Sequence, residues 1–214
     1  MTTSNLKVAV VAANGRTGQL IVSEALGRGL DVTAVVRGEN RSAARKCLSS
    51  DALELTAEDL AGFDVVVDAV GGWTPDTIPA ITEVATHLAD VLSGTQTRLI
   101  VVGGAGSLFV NAEHTATLDQ GPDFPEDWKP LSAAHGAALA DLRSRSDVRW
   151  TYVSPAADFV ADGERTGAYT LAGEELTLYA AGASTVSYAD YAIAIVDLAE
   201  SGEHVCERVS VVSK

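Results

Sequence analysis

The segment Val8 to Leu20, VAVVAANGRTGQL, limits what this chain can fold into more than any other part of it. A run of small and β-branched apolar residues breaks into a turn with two glycines and passes directly into helical spacing. In a strand–turn–helix unit of this kind, backbone N–H groups and the positive end of the helix dipole converge on an anion. Gly15 lets the backbone approach a pyrophosphate, and Gly18 lets the helix pack closely on the strand. Asn14 tolerates left-handed backbone, which helps the turn. Ala12 stands where a first glycine is expected, and strand geometry at that position accepts an alanine. With Arg16 and Thr17 these residues form the candidate phosphate cradle; a plain tight turn is the alternative reading.

Further apolar runs alternate with segments of helical spacing, the pattern of a parallel sheet covered by helices. Strands are expected at Lys7 to Ala12, Val32 to Arg37, Phe63 to Val70, Arg98 to Gly103, Arg149 to Ser154 and Arg208 to Val212. Each is nearly continuous in apolar character, as a strand buried on both faces should be. Helices are expected at Thr17 to Arg28, Thr77 to Leu92, Leu131 to Arg145 and Tyr188 to Glu200. Leu53 and Leu55 suggest a short extra strand, and TAEDLAG reads as a helical turn with Thr56 as N-cap and Asp59 three residues on. The stretch from Gly104 to Pro130 is rich in Gly, Pro and Asp and too long for a mere connector, so function is expected there.

Composition excludes several classes. The chain has 214 residues, enough for one sizeable core, and 15 Lys and Arg against 29 Asp and Glu give a formal charge of −14. Most of the surface repels a polyanion, so nucleic acid is not an expected partner, and an anionic ligand must be held by a few placed arginines. Cys47 and Cys206 lie far apart without metal-ligand spacing; buried inert thiols are expected and no metal. No stretch reaches membrane-span length, and no basic head precedes an apolar run at the N-terminus. A cytoplasmic protein without membrane partners is the expectation.

The second strand discriminates between nicotinamide cofactors. NAD-specific sites place an acidic residue near that strand end for the ribose 2′-OH, whereas here TAVVRGEN places Arg37 there. A guanidinium suits a 2′-phosphate, and Arg16 could reach the same group. NADP(H) is therefore expected to be preferred, with NAD(H) use left open by Glu39. Gly71 and Gly72 in DAVGGW clear side chains from a strand end where a cofactor would pass, or simply form a turn.

The blocks NGRTG, LTAEDLAGFDVVVDAVGG, VVGGAGSL, RWTYVSPAADFVADGERTGAY and STVSYADYAIAIVDLAE resemble the atypical short-chain dehydrogenase/reductases provisionally labelled NADH-flavin reductases, close to the NmrA-like and NAD(P)-dependent epimerase/dehydratase-like groups. The resemblance covers essentially the whole chain. It implies a Rossmann-type, doubly wound parallel α/β sheet as one NAD(P)-binding domain over residues 1–214, with residues 155–190 supplying most of a small C-terminal substrate-binding portion. It also implies that Gly103 allows backbone approach, that Ser107 lies toward the nicotinamide, and that Ser154, Pro155, Ala156 and Ala157 line its pocket. The chain departs from the short-chain pattern in having no Tyr-x-x-x-Lys pair, the source of the proton in carbonyl chemistry. In the helix that would carry it, LSAAHGAALADLR, His135 is the one group suited to acid–base work near neutrality.

Hydride transfer to a flavin or quinone needs no such tyrosine, because the acceptor ring delocalises the charge and water can supply the proton. It does need a wall on which a planar acceptor stacks against the nicotinamide. Trp73, Phe109, Phe159 and Tyr169 are the aromatic candidates, and Arg165 is a candidate for a polar substrate group or for a local ion pair. The leading reading is an NAD(P)H-dependent reductase of a small planar acceptor, FMN or FAD among them. The alternative is a non-catalytic NADP(H) sensor that signals to a protein partner.

Overall fold

The computed structural model describes residues 5–179 and 182–214. Its centre is an eight-stranded sheet. The strands in chain order are β1 (Lys7–Val11), β2 (Asp31–Val36), β3 (Lys46–Ser49), β4 (Val65–Asp68), β5 (Arg98–Val102), β6 (Arg149–Pro155), β8 (Tyr169–Ala172) and β10 (Glu207–Ser213). They are arranged β3-β2-β1-β4-β5-β6-β10-β8. All neighbours are parallel except β8, which runs antiparallel to β10 along the edge. The chain winds outward from β1 to β3 and then continues on the other side of β1 at β4, so a crevice opens at the carboxyl ends of β1 and β4, where ligands bind in doubly wound sheets. A small parallel pair, β7 (Asp158–Val160) and β9 (Thr185–Ser187), lies in the segment expected to form the C-terminal portion.

Both sheet faces are covered, which explains the unbroken apolar runs. Val8 and Val10 of β1 join the core beneath helices α1 (Arg16–Gly27) and α4 (Tyr188–Ser201), while Ala9 and Val11 join the core beneath α2 (Pro79–Val91) and α3 (Lys129–Ser144). The four expected helices are present, with ends shifted by a residue or two. Gly18, Ile21, Val22 and Ala25 form the buried stripe of α1.

Several local expectations are corrected. Leu53 falls in a 3-10 turn, Ala52–Glu54, and the third strand is instead Lys46–Ser49, whose short polar edge gives no apolar signal. Thr56 and Asp59 do form the expected reciprocal cap: the Thr56 amide and hydroxyl donate to the Asp59 carboxylate, and the Asp59 amide donates to Thr56 Oγ1. Cys47 and Cys206 are exposed, not buried. Cys47 lies on the edge strand, and Cys206 occupies a left-handed turn, φ 61°, just before β10. No helix of the described residues is long and apolar enough to cross a membrane.

Candidate functional site

The glycine turn lies at the carboxyl end of β1, at the edge of the crevice. Strand β1 ends at Val11, and Ala12 turns into the left-handed region at φ 57°. Left-handed backbone therefore falls on Ala12 rather than on Asn14, and the alanine is not in strand geometry. The turn that follows is closed by the Gly15 amide donating to the Ala12 carbonyl at 2.8 Å. Gly15 is the N-cap of α1 and offers no side-chain cap, so the first amides of the helix remain available to an anion. A Cβ on Gly18 would stand 2.5 Å from Ala12 O and 3.0 Å from Ala13 Cα. Close helix–strand packing thus depends on that glycine, as a phosphate cradle requires. Gly15 and Arg16 are exposed and Thr17 half-buried, so the turn is open to a ligand.

Asn14 has a different role from the expected one. Its Nδ2 donates to Glu39 O at 2.9 Å and its Oδ1 accepts the Arg41 amide at 2.7 Å. The side chain thereby binds the segment after β2 to the glycine turn. Arg37 is exposed at the end of β2 and makes no ion pair among the described residues; the same holds for Arg41, which sequence reasoning did not single out. Only the Asn14 bridge shows that Arg41 belongs to this end of the crevice. Arg16 is directed elsewhere, donating to Asp162 at 2.7 Å across 146 residues of sequence and lying 6.0 Å above the Tyr188 ring.

Farther along the crevice the glycines divide. A Cβ on Gly72 would meet Thr77 O at 2.3 Å, so this glycine serves the turn into α2, while Gly71 faces open space. Beyond β5, the room at Gly103 is taken by the Tyr152 ring, 2.3 Å from a hypothetical Cβ, and Gly104 faces the His135 ring. The Tyr152 hydroxyl accepts the Gly104 amide and donates to His135 O, each at 3.1 Å. Burial pushes this phenol above its usual range. Tyr152 lies outside any Tyr-x-x-x-Lys pattern, and nothing in its local sequence marks it.

His135 is held against Gly104, and its Nδ1 is buried without a partner among the described residues. Burial lowers its pKa to about 4, so the ring is neutral near pH 7. Asp68, at the end of β4, is also buried; its Oδ1 accepts the Val70 amide at 3.0 Å, and burial raises its carboxyl to about 7. Ser154, Pro155 and Ala156 are buried at the end of β6, with Ser154 Oγ unpartnered. The Ala157 amide donates to Ser184 Oγ.

The expected aromatic wall is not one wall. Phe159 packs at a tilt against Tyr188 and Tyr191, with ring centroids 3.9 and 4.8 Å away, on the α1/α4 side. Tyr169 donates to Asp197, and Arg165 pairs with Glu24 at 2.9 Å. Phe109 is elsewhere, stacked on His114 with ring centroids 4.3 Å apart. Ser107 Oγ accepts from Arg208 Nη1 at 3.2 Å. Trp73 stands 75% exposed in the β4–α2 connection, and Trp128, 53% exposed, immediately precedes α3.

Residues 12–201 match the family model described as NAD(P)H-binding. The chain belongs to the NAD(P)H-binding family. Its NAD(P)H-binding fold is similar to that of SP1627 from Streptococcus pneumoniae, provisionally named an NADH-flavin reductase, at 50% identity and TM-score 0.95, covering 98% of this chain and 100% of that one. YwnB of Bacillus subtilis, an uncharacterised protein, is 41% identical over 98% of this chain and 99% of its own length. A Bacillus halodurans protein provisionally named an NAD-dependent epimerase/dehydratase shares the fold at TM-score 0.78 and 22% identity, over 98% of this chain and 95% of that one.

Proposed function

We propose that the protein is an NADPH-preferring oxidoreductase that passes hydride to a small planar acceptor, a flavin or quinone, with FMN and FAD as candidate substrates. The observation that carries the reading is Arg37, exposed at the end of β2 without an ion-pair partner among the described residues, beside an open glycine cradle to which Asn14 fastens the backbone of Arg41. Two guanidiniums without an ion pair among the described residues, on the segment after β2, suit a 2′-phosphate in a molecule whose net charge of −14 otherwise repels an anion.

The acceptor half of the reading rests on what surrounds the other end of the crevice. His135 is neutral near pH 7, and no Tyr-x-x-x-Lys pair exists, so a substrate that demands a strong protein acid is poorly served. A flavin or quinone spreads the incoming charge over its ring, and a hydrogen bond from a group such as Ser107 suffices. Trp73 offers an exposed aromatic face for stacking. The name carried by the S. pneumoniae protein supports the same reaction class.

The test is NADPH oxidation, followed by absorbance, with FMN, FAD and a simple quinone offered in turn. Turnover that is faster with NADPH than with NADH supports the proposal. No oxidation above background with any acceptor defeats it, and tight NADPH binding without turnover then favours the sensor reading. Cytoplasmic location is part of the same proposal, checked by fractionation of the source cells.

A further inference from the structure

The stretch that follows β5 does not hang free; it is fastened to the last strand by one buried arginine. Arg208 on β10 has a fully buried side chain. Its Nε donates to Glu174 Oε2 at 2.7 Å, its Nη2 to Glu174 O at 2.9 Å, and its Nη1 to Ser107 Oγ at 3.2 Å. The guanidinium also lies 5.8 Å over the Phe109 ring. Main-chain bonds complete the attachment: the Phe109 amide donates to Glu174 O at 2.9 Å and the Leu176 amide to Phe109 O at 2.8 Å. Arg143 of α3 shares the Glu174 carboxylate. Burial works to raise that carboxyl, and Arg143 and Arg208 outweigh it, so Glu174 stays ionised below its ordinary value.

The contact with Ser107 has a chemical consequence. A hydroxyl has one hydrogen to give and two lone pairs to receive with. When a guanidinium occupies a lone pair of Ser107 Oγ, the hydroxyl hydrogen must point away from Arg208, and it has no acceptor among the described residues. A charge-assisted bond also polarises the hydroxyl as a donor.

We propose that Arg208 is a positioning residue for the acceptor: it holds Ser107 as a hydrogen-bond donor toward an acceptor carbonyl oxygen, and through Glu174 it holds the loop that carries Ser107. This rests on the flavin or quinone reading above. Arg208 does not touch the acceptor or the cofactor; it acts through Ser107.

The deciding experiment is a double-mutant cycle on the full chain with Ser107→Ala, Arg208→Met and both together, with NADPH as donor and menadione as acceptor. Each single change is expected to raise the KM for menadione by about tenfold, the size of one lost polar contact. The double variant is expected to be no worse than Arg208→Met, Arg208→Lys to recover part of the loss, and NADPH affinity to remain within about twofold. Losses that multiply in the double variant, or a menadione KM that Arg208→Met leaves alone, overturn the positioning role. Ser107→Ala removes no buried charge, so it remains informative if Arg208→Met folds poorly; an unchanged KM in that variant also overturns the proposal. If the wild type turns over no acceptor, the reductase reading fails separately, and FMN binding to the NADP⁺ complex, followed by flavin fluorescence, replaces KM in the same cycle. Weaker FMN binding with the same non-additivity sustains the role of Arg208, and equal or absent FMN binding overturns it.

Discussion

Gly18 packs against the carbonyl of Ala12 so closely that a Cβ at residue 18 would lie 2.5 Å from that oxygen. The nearest atoms are backbone, so relief requires the helix to shift off the strand. Gly18→Ala is therefore expected to lower stability by about 1–3 kcal/mol and to weaken binding of both NADPH and NADH, since the cradle itself moves. Thermal unfolding and a binding titration with each cofactor check this. Unchanged stability would mean that the turn is looser than this packing indicates.

Ala12 makes the opposite prediction. Its φ of 57° is left-handed, which costs an L-residue roughly 1–2 kcal/mol. Ala12→Gly removes that cost and gives back part of it through the greater freedom of the unfolded chain. A net gain of up to about 1 kcal/mol is expected in urea unfolding. Cofactor affinity should rise or stay level, because the Ala12 carbonyl keeps its bond to Gly15.

Arg37 and Arg41 are expected to separate the two cofactors. Arg37→Ala should weaken NADPH by about 1.5–3 kcal/mol and barely affect NADH, the mark of a lost charge-assisted contact to the 2′-phosphate. Arg41→Ala should act in the same direction. Asn14→Ala, which releases the segment carrying Arg41, should narrow the NADPH preference without abolishing binding. Equal losses for both cofactors in Arg37→Ala would sink the 2′-phosphate assignment. Isothermal titration of each variant with each cofactor gives the answer.

Asp68 and His135 pull stability in opposite directions with pH. Burial raises Asp68 to about 7 from an ordinary 3.8, so the folded chain holds an extra proton between those values and loses stability as pH rises through them. Burial lowers His135 to about 4 from 6.5, so the unfolded chain holds the extra proton, and stability is lost as pH falls from 6.5 toward 4. Asp68→Asn retains an oxygen for the Val70 amide and abolishes the ionisation. It is expected to stabilise the protein by up to about 4 kcal/mol above neutrality and to do little near pH 4. Urea unfolding across that range measures both ends, and a gain independent of pH would contradict the assignment.

The main fold was legible because its signals are local. Six of the parallel strands are apolar runs buried on both faces, and four helices repeat their apolar residues at helical spacing. The short strands were not legible. Lys46–Ser49 is a polar edge, and β7, β8 and β9 are three or four residues long, too short for a period to emerge. In the site, Gly15 and Gly18 were readable from their spacing, as was Arg37 from its place at a strand end. Tyr152 and Arg41 were not, since each acquires its place through a partner distant in sequence: the Gly104 amide in one case and the Asn14 side chain in the other.

The sequence by itself determined the order of the six long apolar strands and the four helices, the position of the glycine turn and the lack of a tyrosine–lysine pair, because periodicity, turn chemistry and residue identity belong to short stretches of chain. Only the tertiary structure decided that Ala12 bears the left-handed strain, that Arg16 turns to Asp162, and that Phe109 packs on His114 while Phe159 packs on Tyr188 and Tyr191. An ion pair across 146 residues, or a ring's choice of partner, depends on where the folded sheet brings distant backbone together, and no local pattern encodes that distance.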